Sequence, residues 1–358
     1  MMKIKQKKVL VDLSELKNIY CGLGQVALSY GNYFEKNYKK SDSGYSLTFL
    51  MPKKMFGLFG DEVHYINSSN WLRKHCRYLF PIFDVWHAVH QLSRFKPAYS
   101  HTKLILTIHD LNYLYETTGE QLKRKHRRLQ RKVNRADKVI CISEFTKQET
   151  EKNLILNGKL CDVIYNGVDN IARKPALKPG REIKEPFFLS IGVIRKKKNF
   201  HVLLDMMKLI PDKYLYIAGS DGDKDGYDTM IKHRIETEGI RNVVLLGVVP
   251  EAEKVWLYAH CEAFLFPSLF EGFGLPVIEA MQFGKPVFSS RETSLKEIGG
   301  KFAYFWKNFD PHEMKQLIDE NLDKFYQDKD LAEKEKEYAH SFSYEKHFEA
   351  YEKLYTTI

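Results

Sequence analysis

The run FPSLFEGFGLPVIEAM, residues 266–281, places Glu271 and Glu279 eight positions apart, with glycines at 272 and 274 between them. An ionised carboxylate is an acceptor with two oxygens and takes two hydroxyl donors at once. Two carboxylates flanking one turn are therefore suited to holding two polyhydroxylated rings. The apolar residues before Pro267 read as a strand, and Pro276 stands where a helix begins, so the glycine turn exposes backbone N–H groups at a helix N-terminus. Such a turn suits a phosphate or a sugar hydroxyl.

A second acidic group, Asp221, Asp223 and Asp225 before Gly226, imitates the start of a calcium loop. The twelfth position is Lys232, where a calcium loop needs a bidentate glutamate. The Asp-x-Asp pairs follow the strand YLYIAG, away from the Glu271 turn, and read as a solvated turn. No essential metal and no other cofactor is expected.

The elements that must position the carboxylates alternate along the chain. Short apolar, β-branched runs (KKVLVDL, YSLTFLM, HTKLILTIHD, ADKVICIS, CDVIYNG) are separated by amphipathic stretches, the pattern of a parallel sheet covered on both faces. ARKPALKPGREIKEP, residues 172–186, has no apolar period and reads as a linker. The alternation then resumes with FFLSIGV, YLYIAGS, NVVLLGVV, CEAFLFPS and KPVFSS. The expected fold is α/β: two doubly wound, Rossmann-like parallel-sheet domains over 1–175 and 176–340, facing across a ligand cleft. Residues 341–358 form a C-terminal helix, with Tyr344, Phe348, Tyr351, Leu354 and Tyr355 on one face, expected to pack back towards the first domain.

EGFGLPVIEAM followed by FGKPVFSS resembles the Glu-x7-Glu motif of glycosyltransferase family 4, "glycosyl transferases group 1", whose members have the GT-B fold and retain anomeric configuration. The resemblance implies that Glu271 contacts the transferred sugar, that the amides of Phe273, Gly274 and Leu275 support sugar and diphosphate, and that Glu279 holds the ribose. LSIGVIRKKKNFHVLL is similar to the family's strand, glycine and Arg-Lys-Asn signature, and implies that Lys198 pairs with the donor diphosphate. Many members carry an arginine where Val193 or Lys197 stands here. Arg195 or Lys197 would then supply the second cation, although a lysine cannot reproduce a guanidinium fork.

In the first half, Cys21-Gly22-Leu23-Gly24-Gln25 resembles the family's glycine-rich loop on the acceptor side, and Gly22 and Gly24 join the donor-binding set. LTIHDLNYL is similar to the His-Asp-Leu motif of one branch, which implies that His109 lies near the transferred sugar and, with Glu271 and Lys198, belongs to the catalytic group. ADKVICISEFTKQE and VIYNGVD place Ser143 and Asn166–Asp169 near the cleft or hinge. Backbone near Gly247 and Val248 is expected to recognise the base.

The net charge of +10 is uneven: residues 1–170 hold 28 Lys+Arg against 16 Asp+Glu, and the remainder 28 against 30. The densest basic run, Lys123 to Arg135, reads either as a solvated helical face or as a surface for anionic headgroups or a pyrophosphate-linked acceptor. No nucleic-acid-binding motif accompanies it. Five widely spaced cysteines without CxxC read as reduced thiols. No secretory leader and no run of about 18 apolar residues is present, so a cytoplasmic protein, peripheral at the inner membrane face at most, is expected.

The expectation is thus a retaining hexosyltransferase using a nucleotide sugar, GDP-mannose first and a UDP-sugar second, on a saccharide or lipid-linked saccharide. A sugar-nucleotide epimerase, a glycoside phosphorylase and a noncatalytic binding subunit share the architecture and stay open, as does double displacement through Glu271.

Overall fold

The computed structural model describes residues 6–19, 22–222 and 226–358, with Lys74 described by its backbone alone. The chain divides into two compact units: Met1–Gly167 with Tyr344–Ile358, and Val168–Ser343.

The first unit holds β1 (Lys7–Asp12), β2 (Tyr45–Met51), β3 (His64–Asn67), β4 (Val85–Ala88), β5 (Lys103–Ile108), β6 (Lys138–Cys141) and β7 (Cys161–Val163). They pair in the order β3-β2-β1-β4-β5-β6-β7, every neighbour parallel. Strands such as Val85–Ala88 are buried along their whole length, as continuous apolar runs in a sheet covered on both faces must be. In register, Val9 stands between Leu47 and Val85.

The C-terminal helix, Tyr344–Thr357, completes this unit although the whole second unit separates the two in sequence. It buries His347, Phe348, Tyr351 and Tyr355. Phe348 stacks on Tyr33 with ring centroids 4.2 Å apart. The Tyr351 hydroxyl shares a 2.8 Å hydrogen bond with Thr107 Oγ1, and the Tyr355 hydroxyl one of 2.7 Å with His87 Nδ1. Buried aromatics with satisfied hydroxyls supply apolar area and fix register together.

The second unit holds β8 (Phe187–Ile191), β9 (Tyr214–Ala218), β10 (Val243–Gly247), β11 (Ala263–Phe266), β12 (Val287–Ser290) and β13 (Ala303–Trp306), ordered β10-β9-β8-β11-β12-β13 and again parallel throughout. Two doubly wound, Rossmann-like sheets are what the alternating pattern predicts. The proline-rich stretch read as a linker is bound to this second sheet: Leu177 N donates to Ala252 O at 3.0 Å, the Arg181 guanidinium donates to Leu246 O at 2.9 Å, and Ile183 is buried. Its lack of apolar period reflects an irregular strap held by backbone hydrogen bonds.

Candidate functional site

In an open parallel sheet, ligands bind beyond the carboxyl ends of the strands where the strand order reverses. In the second unit that reversal lies between β8 and β11. The chain leaving β8 turns through Gly192 into a short 3-10 helix at Lys196–Lys198, and the chain leaving β11 enters the turn containing Glu271. Leu269 N donates to Lys197 O at 2.8 Å and Ser268 Oγ to the same carbonyl at 3.2 Å, which ties the two loops together.

The tie brings Lys198 and Glu271 into contact, with Nζ 2.5 Å from Oε1. Ser268 Oγ donates to the same oxygen at 2.6 Å, and among the described residues Oε2 takes no hydrogen bond. The Lys198 ammonium also lies 4.7 Å from the Phe266 ring centroid, so the ring face and the carboxylate locate one charge. Gly192 makes room for it: a Cβ there would stand 3.0 Å from Lys198 Cε. Side chains of both members of the pair are only 12% and 16% exposed.

The Glu271 turn is held from β12's trailing loop. Glu271 N donates to Thr293 Oγ1 at 3.1 Å, and Ser294 Oγ donates to the carbonyls of Glu271 (3.0 Å) and Phe273 (2.8 Å). Thr293 has φ +53°, unusual for a β-branched residue. Gly274 has φ +113° and precedes the helix Leu275–Met281, and a Cβ there would meet Leu295 Cδ2 at 2.7 Å. Only glycine fits both demands.

Glu279 lies in that helix. Lys254 Nζ is 3.0 Å from its Oε1, and the buried Tyr258 hydroxyl donates to Oε2 at 2.9 Å. Burial, then the Glu279 charge, pushes the Tyr258 hydroxyl well above its ordinary range, so it stays a donor. Each Glu279 oxygen keeps a second lone pair for another donor. Gly247 ends β10 with φ +69°, and Val248 beyond it is 73% exposed. Arg195 is exposed and Lys197 half-buried beside Lys198.

Ser268, Thr293, Ser294, Lys254 and Tyr258 do not stand out in the sequence. The hydroxyl-rich run SSRETS after a strand, and Lys254 and Tyr258 four apart on one helix face, are the signals that point to them.

The remaining sequence candidates lie in the first unit. His109 follows β5 and is buried, its Nε2 2.8 Å from Val89 O and its backbone N donating to Gln91 Oε1 at 3.1 Å. Nε2 must carry a proton to donate to that carbonyl, and burial lowers the imidazole's proton affinity, against smaller opposing effects of Val89 O and Asp110. Gly22 and Gly24 sit in the first turn of a helix, Gly22–Asn37, instead of in a loop; at Gly24 the backbone of Asn18 comes so close that a Cβ would lie 1.9 Å from Asn18 O. Cys21 lies outside the described residues. Ser143 caps the helix Glu144–Asn153 through Thr146 N, and Gly167–Val168 is where the chain passes between units.

Of the acidic group, Asp221 pairs with Lys232 Nζ at 2.6 Å; Asp223 and Asp225 lie outside the described residues. Among the described residues no three His, Cys, Asp or Glu side chains are grouped to hold a metal. No described helix is long and apolar enough to cross a membrane.

Two family profiles match the chain: "Glycosyltransferase Family 4" over residues 38–170 and "Glycosyl transferases group 1" over residues 174–342. The O-antigen chain mannosyltransferase B of Escherichia coli is 28% identical over 214 residues, 55% of either chain. The O-antigen chain mannosyltransferase RfbU of Salmonella typhimurium is 30% identical over 189 residues, 52% of this chain and 51% of that one. The matched stretch thus spans about half the length of these curated relatives. Among solved structures, Anabaena HepE in complex with UDP and glucose superposes with a TM-score of 0.72 at 16% identity, covering 98% of this chain and 100% of that one. Sucrose-phosphate synthase from Thermosynechococcus elongatus gives 0.72 at 16% identity over 98% of each. At that identity the likeness establishes the fold.

Proposed function

The chain belongs to glycosyltransferase family 4, and from that membership we propose that it transfers a hexose from a nucleoside-diphosphate sugar to a saccharide or lipid-linked saccharide, with retention of configuration. Mannose from GDP-mannose is the first choice, because relatives at 28% and 30% identity are named mannosyltransferases. A UDP-sugar is the second, because a solved relative of the fold holds UDP and glucose.

The observation that carries the reading is the Lys198–Glu271 pair at the β8/β11 reversal. In this reading the donor diphosphate lies beside Lys198, the ribose hydroxyls bond to Glu279, and the transferred sugar donates a hydroxyl to Glu271 Oε2. Backbone at Gly247 and Val248 faces the base, and Arg195 or Lys197 adds the second cation. The C1–O bond to the β-phosphate breaks while the acceptor oxygen bonds to C1 on the same face. The acceptor's proton passes to the departing phosphate oxygen, so no enzyme nucleophile and no metal is needed. Lys198 stabilises the charge that develops on the leaving group. His109, tethered through Nε2 to Val89 O, lies near the transferred sugar in this reading.

The test is thermal stabilisation by a panel of nucleoside diphosphates and their sugars, since a ligand selective for the native state raises the melting temperature. A shift with guanosine or uridine species that disappears in Glu279→Ala and Lys198→Ala supports the donor site and identifies the base. No shift with any nucleotide overturns it and favours the phosphorylase or binding-subunit alternatives.

A further inference from the structure

The basic helix Gly119–Arg135 closes one side of a cavity of about 410 Å³ in the first unit. Arg128, Arg131 and Lys132 of that helix line it together with Arg77, which begins the 3-10 helix Arg77–Leu79, and Arg94 and Lys96 of the loop after β4. Among the described residues no acidic side chain lines the cavity and none of these six cations has a carboxylate within ion-pair distance. Arg135, at one end, is the exception, paired with Asp137 at 3.1 Å. The floor is apolar, built by Phe95 with Leu104 and Leu106 of β5.

Gathered cations repel one another. Burial, then Arg94 and Arg131, lowers the proton affinity of Arg128, and burial followed by Arg128 brings Lys132 down to about 7 against the opposing charge of buried Asp12. A bound polyanion relieves this repulsion, and its oxygens are the acceptors that guanidinium forks match. The volume is that of a small-molecule site.

A second cavity of about 370 Å³ adjoins the first, sharing Arg77, Arg94, Phe95 and Lys96 and adding Arg73 and Tyr78. The segment that walls it carries large apolar side chains into solvent: Trp71 is 68% exposed, Leu72 56%, Tyr78 59% and Leu79 47%. Exposed tryptophan, tyrosine and leucine alternating with arginine is the composition of a bilayer interface anchor.

We propose that this cationic cavity binds the phosphate or diphosphate headgroup of an anionic lipid while Trp71, Leu72, Tyr78 and Leu79 enter the bilayer interface. The inference extends the lipid-linked acceptor reading and rests on it for the class of ligand. Arg77, Arg94, Lys96 and Arg131 supply headgroup affinity, while Arg128 donates to Leu92 O at 3.2 Å and Lys132 to the carbonyls of Gln91 and Ser93 and so brace the wall. The apolar floor receives the first carbons of the lipid, and the exposed segment holds the unit at the surface.

Flotation of the full chain with vesicles of phosphatidylcholine alone, with phosphatidylglycerol, or with a polyprenyl diphosphate tests it, with inorganic pyrophosphate as soluble competitor. Retention on both anionic compositions, little on phosphatidylcholine, and competition by pyrophosphate are expected. The double variant Arg94→Gln/Lys96→Gln is expected to bind about thirtyfold more weakly, about fivefold per cation removed near an anionic surface. Trp71→Ala/Leu72→Ala is expected to lose retention while keeping pyrophosphate protection against heat. Absence of retention, or retention unchanged in the double cation variant, overturns the proposal. Pyrophosphate protection without any vesicle binding also overturns it and leaves a site for a soluble anion. The melting shift with GDP or UDP, read on the same preparations, reports the other unit. It is expected to persist in both variants, so a failed donor reading is told apart from a failed lipid reading.

Discussion

Lys198→Ala is expected to weaken binding of GDP or UDP by about 10- to 30-fold, and Glu271→Gln to strengthen it severalfold. A hydrogen bond to a charged group contributes about 1.5–3 kcal/mol, which spans about 10- to 150-fold in affinity. The lower end applies because Lys198 already has a partner: its ammonium is 2.5 Å from Glu271 Oε1 and 4.7 Å from the Phe266 ring, so a diphosphate must share it. Glu271→Gln removes the competing charge while the amide oxygen keeps its bond from Ser268 Oγ. Transfer by that variant is expected to fall even as the nucleotide binds more tightly. Removing the ion pair and ring contact costs roughly 1–2 kcal/mol of stability, which for a unit the size of Val168–Ser343 lowers its Tm by about 2–4 °C per kcal/mol. Isothermal titration at 25 °C gives the affinities and scanning calorimetry the stability. A Kd for Lys198→Ala within twofold of the parent's, in a folded protein, would mean that Lys198 does not hold the diphosphate. Glu271→Gln weakening the nucleotide as much as Lys198→Ala does would mean that the carboxylate does not compete for Lys198.

Other outcomes follow from particular contacts. Glu279→Ala leaves the buried Tyr258 hydroxyl without its carboxylate and is expected to cost about 1–3 kcal/mol, whereas Glu279→Gln keeps the bond; calorimetry separates them. Gly274→Ala forces φ +113° and a 2.7 Å approach to Leu295, with an expected loss of about 1–3 kcal/mol and weakened nucleotide binding by titration. Buried His90 and His347 are held neutral, pulled down to about 3 and about 4, and His87 and His109 are lowered too, burial being the first cause in each. The unfolded chain takes up protons below about 6.5 while the folded imidazoles do not. Stability of the first unit is therefore full above pH 6.5 and falls on acidification, by up to about 1.4 kcal/mol per pH unit per histidine, which calorimetry between pH 7.5 and 5.5 measures. Glu335 is buried with both carboxyl oxygens unpartnered, and burial raises its proton affinity well above the usual range. Its cost grows as pH rises above about 4.5, because the unfolded carboxyl ionises first. Glu335→Gln is expected to raise Tm at pH 8 more than at pH 5.

The fold is legible in the sequence because a parallel sheet buried on both faces writes itself as continuous apolar runs, and FFLSI, YLYIA and AFLF are strands β8, β9 and β11. The strap at residues 172–186 reads as a linker, although the second domain is expected from residue 176, since backbone hydrogen bonds such as Leu177 N to Ala252 O leave no side-chain pattern. Gly22 and Gly24 read as a loop because two glycines so close together signal a turn, and only the structure shows a helix start there, with the Asn18 backbone packed against Gly24. Glu271, Glu279 and Lys198 stand out in the sequence because a charged side chain beside a glycine turn has no apolar core to fill and stands where backbone N–H groups are free to meet an anion. Their partners Ser268, Thr293, Lys254 and Tyr258 are ordinary residues whose importance is a matter of distance. The cationic cavity is half legible: Arg128, Arg131 and Lys132 fall in one basic run, but Arg77 comes from a 3-10 helix and Arg94 and Lys96 from the loop after β4, which only the tertiary structure gathers.

Retention and transfer are read together by proton NMR of the anomeric region, followed while the protein is mixed with GDP-α-mannose or UDP-α-glucose and a panel of manno-oligosaccharides. Acceptor-dependent release of nucleoside diphosphate and a new α-anomeric signal are expected, both abolished by Lys198→Ala. A β-linked product, or no release from either donor with any acceptor, contradicts retaining transfer.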